Sequence, residues 1–187
     1  MSESLRKDLL RLGGALLAIT VAVALCLGCV DTLTRDRIAR IKEENIQNAM
    51  REVCGADASF EPMTLSPEED STITSASRIL RQGKNDGFCL QVEPMGFGGA
   101  ITMIVGVDGQ GAVLGVEIVE LSETPGLGAK ADDVKWLAQY QGASGSLNVV
   151  KAATGNPGDI TALSGATITS KGVTAGVQTA LDFAARQ

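Results

Sequence analysis

The run from Leu12 to Val30 carries no charged residue, and about 20 consecutive apolar residues suffice to cross the hydrocarbon core of a bilayer. No other stretch of the chain is as continuously apolar, so a single transmembrane helix is expected there. Leu25-Cys26-Leu27-Gly28-Cys29 has a faint likeness to a lipoprotein processing site. However, Cys26 stands three before Cys29, where such a signal has leucine, and the apolar run exceeds the 7–15 residues of a secretory core. An uncleaved anchor is the better reading. Arg6, Lys7 and Arg11 precede it and Arg35, Arg37, Arg40 and Lys42 follow. Three basic residues against four leave its orientation undecided. Cys26 and Cys29 form a C-x-x-C inside the segment and read as small membrane-embedded side chains.

Beyond the anchor, Leu33 to Val53 holds neither Pro nor Gly. Its apolar residues Ile38, Ile41, Ile46, Ala49, Met50 and Val53 fall near helical spacing. A helix leaving the membrane is expected, ended by Gly55 as a cap. The chain thus divides into an anchor (1–30), a juxtamembrane helix (31–55) and one domain (56–187).

What this domain does is narrowed by what it lacks. There is no histidine anywhere, which removes a Ser-His-Asp triad, His-ligated zinc and His-ligated haem. A net charge of −6 argues against nucleic acid as a partner, because phosphate binding needs a basic face. Aromatic residues make up only 3% of the chain, too few for a groove that stacks bases or sugars. Without its best acid/base residue, such a domain leaves difficult chemistry to a cofactor. Cys54 and Cys89 are available for a disulfide if the domain faces an oxidising compartment, which their spacing does not decide.

Residues 56–78, with Pro62, Pro67 and the acidic Glu68-Glu69-Asp70, read as a loop. Ala100 to Val107 and Ala112 to Glu120 are β-branched apolar runs joined by Asp108-Gly109-Gln110-Gly111, a hairpin signal. Because a strand follows that Gly-x-Gly where a helix would be needed, it is no dinucleotide fingerprint. Residues 132–141 suggest a short helix that buries Val134, Leu137 and Tyr140, with Trp136 alongside. Ser146 to Ala152 suggests a strand. From about Thr167 toward Arg186, Val173, Val177, Leu181 and Ala184 recur at helical spacing.

Two segments stand out. Glu123-Thr124-Pro125-Gly126-Leu127-Gly128 is a shaped loop, with one backbone angle fixed by Pro and others freed by Gly. Ser164-Gly165-Ala166-Thr167-Ile168-Thr169-Ser170 sets hydroxyls and small residues at a helix start, where free N–H groups and the helix dipole favour an anion such as a phosphate. Alone, the second segment reads more readily as a Ser/Thr helix cap with no ligand. Together, ETPGLG followed by SGATITS resembles the FMN-binding domain of the Rnf G subunit and of its cousin, the C subunit of the Na⁺-translocating NADH:quinone reductase. The similarity runs from about Gly87 to the C-terminus.

That resemblance implies an α+β fold: an N-terminal transmembrane helix, then a single FMN-binding domain with a mainly antiparallel sheet and flanking helices. It implies FMN attached by a phosphoester to Thr167 by a flavin transferase that recognises Ser164, Gly165 and Ala166. Thr169 and Ser170 would lie near the phosphate, and Glu123, Thr124, Pro125, Gly126, Leu127 and Gly128 beside the isoalloxazine ring. The sequence departs from the family at Thr161, where an acidic residue is usual (Asp159 is two residues out of register), and at Leu121, where many members have histidine. The chain's short length favours an Rnf-type electron carrier over the longer C subunit. It would work among other subunits of a membrane complex that couples ferredoxin/NAD electron transfer to ion movement, with its domain on the periplasmic or outer side of a bacterial inner membrane. An anchored, non-redox binding or assembly module is the rival reading, and a self-sufficient flavin reductase a third.

Overall fold

The computed structural model describes residues 3–66 and 70–187, so Pro67, Glu68 and Glu69 of the expected acidic loop lie outside the described residues. The chain divides into two compact units, one through Glu44 and one from Asn45 to Gln187.

The first unit consists of helix. α1 runs without a break from Glu3 to Cys54, so the expected anchor and juxtamembrane helices form one element. It is the one helix among the described residues long and apolar enough to cross a membrane. Leu12, Leu16, Leu25, Leu27 and Val30 are all exposed. A water-soluble surface would not sustain so long an apolar face, but lipid would.

The second unit is built on a five-stranded antiparallel meander in the order β1-β2-β3-β4-β5, comprising Ser59–Met63, Ile73–Arg81, Lys84–Val92, Thr102–Asp108 and Val113–Glu120. The β4–β5 hairpin falls where the two apolar runs place it. β1 and the start of β2 lie in the segment expected to be a loop. Their own sequence is polar, but each finds a cross-strand partner, with Phe60 opposite Ile79 and Pro62 opposite Ser77. β1 is an edge strand, the place where a sheet tolerates proline because one row of N–H groups needs no partner.

Alternation along the strands sorts side chains to two faces. Leu90, Val92, Met103, Val105 and Val107 join Val173, Val177, Leu181 and Phe183 of α3 (Thr167–Ala185) in the larger core. Cys89 and Ile104 point the other way, toward Ala49, Met50 and Cys54 in the last turns of α1. Gly106 permits that second contact, since a Cβ there would lie 2.7 Å from Val53 Cγ1. Gly55, at φ +94, ends the helix as the sequence suggests, and Arg81 donates to the Cys54 carbonyl.

After β5 the chain makes a 3-10 turn (Gly128–Asp132), then the single-turn α2 (Val134–Leu137) and a further 3-10 turn (Ala138–Tyr140). Trp136, Leu137 and Tyr140 are buried, as expected. Val134 is not: at 73% exposed it faces solvent. Asp133 caps α2 by accepting from Lys135 N, which restarts the helix there and rotates its first residue away from the core. Two short parallel strands, β6 (Asn148–Val150) and β7 (Asp159–Thr161), lead into α3. Tyr140 Oη lies 2.8 Å from Thr174 Oγ1, and burial pushes this phenol above its ordinary value.

A charge cost is built into β5. Burial pushes the Glu117 carboxyl up, and the negative charges of Glu52 and Asp132 push it further; burial raises Asp132 as well. A carboxyl whose folded value exceeds its unfolded one destabilises the fold when ionised. This penalty is complete above the folded pKa and fades as pH falls through it. The Glu117→Gln variant should therefore melt at a higher temperature than the parent at pH 7. The gap should close by about pH 4, near the ordinary glutamate value. Thermal melts across that range check it.

Candidate functional site

Three segments distant in sequence meet at one end of the second unit. The first is the turn between β3 and β4. Met95 and Ala100 pair as an isolated bridge, and Gly96 N donates to Gly99 O at 2.8 Å. Phe97 stands at the tip, 70% exposed.

The second is the loop after β5. Glu123 reaches across from it, and its Oε1 accepts from Phe97 N at 2.6 Å and from Gly98 N at 3.2 Å. Its other oxygen packs on Gly128 so closely that a Cβ there would lie 2.6 Å from Oε2, and 2.8 Å from Thr169 Oγ1. One carboxylate thus ties the first segment to the second beside the third. Gly126, at φ +79, lets the loop fold back so that Leu127 N and Ala129 N both reach Thr124 O.

The third is the start of α3. Gly165 turns the chain at φ +76 beneath Leu127, whose Cδ2 would be 3.0 Å from a Cβ on it. The residue at the helix cap is Ala166, which offers no side-chain hydrogen bond, and the first turn contains no acidic residue. A Ser/Thr cap is therefore not the reason for the hydroxyls here. In-helix bonding begins with Ser170 N to Ala166 O at 3.0 Å; by helix geometry the earlier N–H groups have no partner within the helix. They and the helix dipole make this end attractive to an anion.

Between the segments lies a cavity of about 380 Å³ lined by Phe97, Glu123, Thr124, Leu127, Gly128 and residues 165–169. That is within the ~300–1,000 Å³ typical of small-molecule sites. Of the residues expected from sequence, Glu123, Thr124, Leu127, Gly128, Gly165, Ala166, Thr167 and Thr169 line it together. Pro125, Gly126, Ser164 and Ser170 are not among the lining residues. Pro125, Gly126 and Ser164 are exposed outside it. Ser170 is fully buried, with its hydroxyl accepting from Leu163 N and donating to Ala166 O. It shapes the turn from behind. Phe97 and Ile168 are additions. A Gly-rich turn carrying an isolated aromatic (Gly96-Phe97-Gly98-Gly99) is a signal available in the sequence, while Ile168 sits between two residues already singled out.

Neither departure from the family pattern lines the cavity. Thr161 lies in β7 with its carbonyl accepting from Trp136 Nε1, and Asp159 accepts from Thr154 and Asn156 in the preceding turn. A wider, more open cleft of about 840 Å³ runs between the β4–β5 turn, residues 144–147 and the last turns of α3. It contains none of the expected residues and lacks the convergence of a helix N-terminus with shaped loops. No group of His, Cys, Asp and Glu suited to a metal occurs among the described residues.

The residues present fit FMN. An uncapped helix start whose own first turn contains no acidic residue suits its phosphate, and Phe97, Leu127 and Ile168 offer apolar surface for its ring. The glycines at 128 and 165 mark where added side chains would crowd the cavity walls.

Comparison with known proteins agrees. Residues 96–182 match the family model of the FMN-binding domain. The chain is 31% identical to the G subunit of the Na(+)-translocating ferredoxin:NAD(+) oxidoreductase complex of Acetobacterium woodii, over 91% of this chain and 89% of that one. It is 28% identical to the G subunit of the ion-translocating oxidoreductase complex of Methanosarcina acetivorans, over 100% and 99%. Among solved structures, NqrC of Shewanella oneidensis aligns with a TM-score of 0.49 and 23% identity, over 68% of this chain and 63% of that one.

The tight seam around Glu123 makes a direct prediction. Gly128→Ala should destabilise the domain by about 1–3 kcal/mol, the usual range for overpacking, because its methyl would meet both Glu123 and Thr169. Urea unfolding of the two proteins measures the difference.

Proposed function

We propose, from the fact that this chain belongs to the G-subunit family of ion-translocating oxidoreductase complexes, that it holds FMN as a phosphoester on Thr167 and relays electrons within such a complex. Its relatives' names and its FMN-binding domain support an Rnf-type electron-transfer role. Matches along 89% and 99% of two G-subunit relatives favour that role over the C subunit of the quinone reductase.

One observation carries the attachment site. Thr167 is the exposed hydroxyl that opens α3 and lines the cavity, whereas Ser170 is buried and hydrogen-bonded and Ser164 lies outside. Esterification would put the phosphate where the first-turn N–H groups and the helix dipole offset its charge. Thr167 is then a tether, and the redox chemistry is that of the flavin when bound. Phe97, Leu127 and Ile168 would flank the ring and exclude water from part of it. Glu123 would act as a positioning residue, because its carboxylate is committed to Phe97 N and Gly98 N.

A covalent link matters most where lost cofactor cannot be replaced. In this reading α1 spans a bacterial inner membrane, the second unit faces the periplasmic or outer side, and a flavin transferase on that side installs the FMN. Partner subunits would supply and accept the electrons, coupling ferredoxin/NAD electron transfer to ion translocation.

Co-expression with a flavin transferase tests the proposal. The purified protein should stay fluorescent after denaturation and electrophoresis, and its mass should rise by FMN less one water. Thr167→Val should lose both signals while melting within a few degrees of the parent. A variant still fluorescent after denaturation would overturn the assignment of Thr167.

A further inference from the structure

Cys54 and Cys89 take no part in the site described above, yet the fold brings them together. Cys54 is the last residue of α1 and Cys89 sits in the middle of β3. The cross-strand partner of Cys89 is Gly106, and side chains directly opposite in an antiparallel pair share a face with Cβ atoms about 4.5–5.5 Å apart. The position that a Cβ would take on Gly106 is 3.2 Å from Cys54 Sγ. Gly106 therefore leaves the space beside Cys89 that the sulfur of Cys54 enters. The two thiols are thus neighbours, and they are 1% and 2% exposed within the cluster of Ala49, Met50, Ile79 and Ile104. Cys26 and Cys29 lie on the exposed surface of α1 in the other unit.

We propose that Cys54 and Cys89 form a disulfide that fastens the last turn of α1 to the central strands of the sheet. The reaction is thiol–disulfide exchange with a small or protein disulfide as oxidant. One thiolate attacks the oxidant to give a mixed disulfide, and the second displaces it. Two protons and two electrons leave the pair, and the oxidant departs as two thiols. Burial keeps both sulfurs from bulk solvent, so exchange proceeds while the end of α1 is lifted, and the finished bond is shielded from reductant. Donation of its S–H toward Cys54 and its burial also hold the Cys89 thiol well above the ordinary range, which keeps the closed, reduced pair unreactive. This inference is independent of the flavin: it concerns the opposite face of the sheet from α3.

The test uses the full-length protein in detergent, in a Cys26→Ser/Cys29→Ser background so that only this pair can react. It is equilibrated in mixtures of oxidised and reduced glutathione, quenched with an alkylating agent in denaturant, and digested. The proposal expects a single peptide pair linked through Cys54 and Cys89, formed at glutathione ratios that leave an ordinary exposed thiol reduced. It also expects a melting temperature higher by about 5–10 °C in oxidised than in dithiothreitol-treated protein. Cys54→Ala and Cys89→Ala should each abolish that redox-dependent difference. Recovery of both cysteines alkylated at every ratio, or each separately glutathionylated without a cross-link, would overturn it.

Discussion

The close approach of α3 to the sheet is the contact on which the site depends. Gly172 lies against the Met95 carbonyl and Gly176 against Pro94 and Met103, so closely that a Cβ at either would collide with them. Two glycines one helical turn apart thus let the helix backbone rest on the β3–β4 turn. That contact sets the height at which α3 begins, and so places Thr167 beside Phe97 and Leu127. Glu123 finishes the arrangement by binding the same turn from the other side. Each wall of the cavity is held by backbone packing or by a carboxylate with two partners, and the site is preorganised before any ligand enters.

The two faces of the sheet serve different ends. α3 covers one and supplies the helix terminus; the last turns of α1 cover the other. β4, buried along nearly its whole length, is the layer between them. Because α1 is continuous from Glu3 to Cys54, the element apolar enough to cross a membrane is also the one whose end enters the domain core. Attachment and folding are thereby joined in one helix, with Gly55 and Arg81 closing its last turn.

Much of this is legible in the sequence wherever local chemistry and burial agree. The uncharged run from Leu12, the β4–β5 hairpin and the apolar stripe of α3 follow from period and composition, because each element buries the face its pattern presents. β1 and the start of β2 are not legible. Their residues are polar and interrupted by Pro62, and they are strands only because β3 offers β2 a template and β2 in turn offers one to β1. Val134 misleads for the opposite reason: it fits a helical pattern, but Asp133 restarts the chain just before it. At the site, the two motifs are readable as a pair and Phe97 is marked by the glycines around it, but the bracing by Glu123 is not readable. The motif singles out Glu123, but not the bonds its carboxylate makes to N–H groups 25 and 26 residues away. Such a partner is fixed by tertiary packing and leaves no mark in spacing.

The central claim is that one hydroxyl at the head of α3 bears the cofactor. Tryptic cleavage after Lys151 and Lys171 isolates residues 152–171, which contain Ser164, Thr167, Thr169 and Ser170 in one peptide. Fragmentation of that peptide from flavinylated protein should locate the whole FMN phosphoryl mass on Thr167. An unmodified peptide, or the same mass on Ser164 or Thr169, would contradict the account.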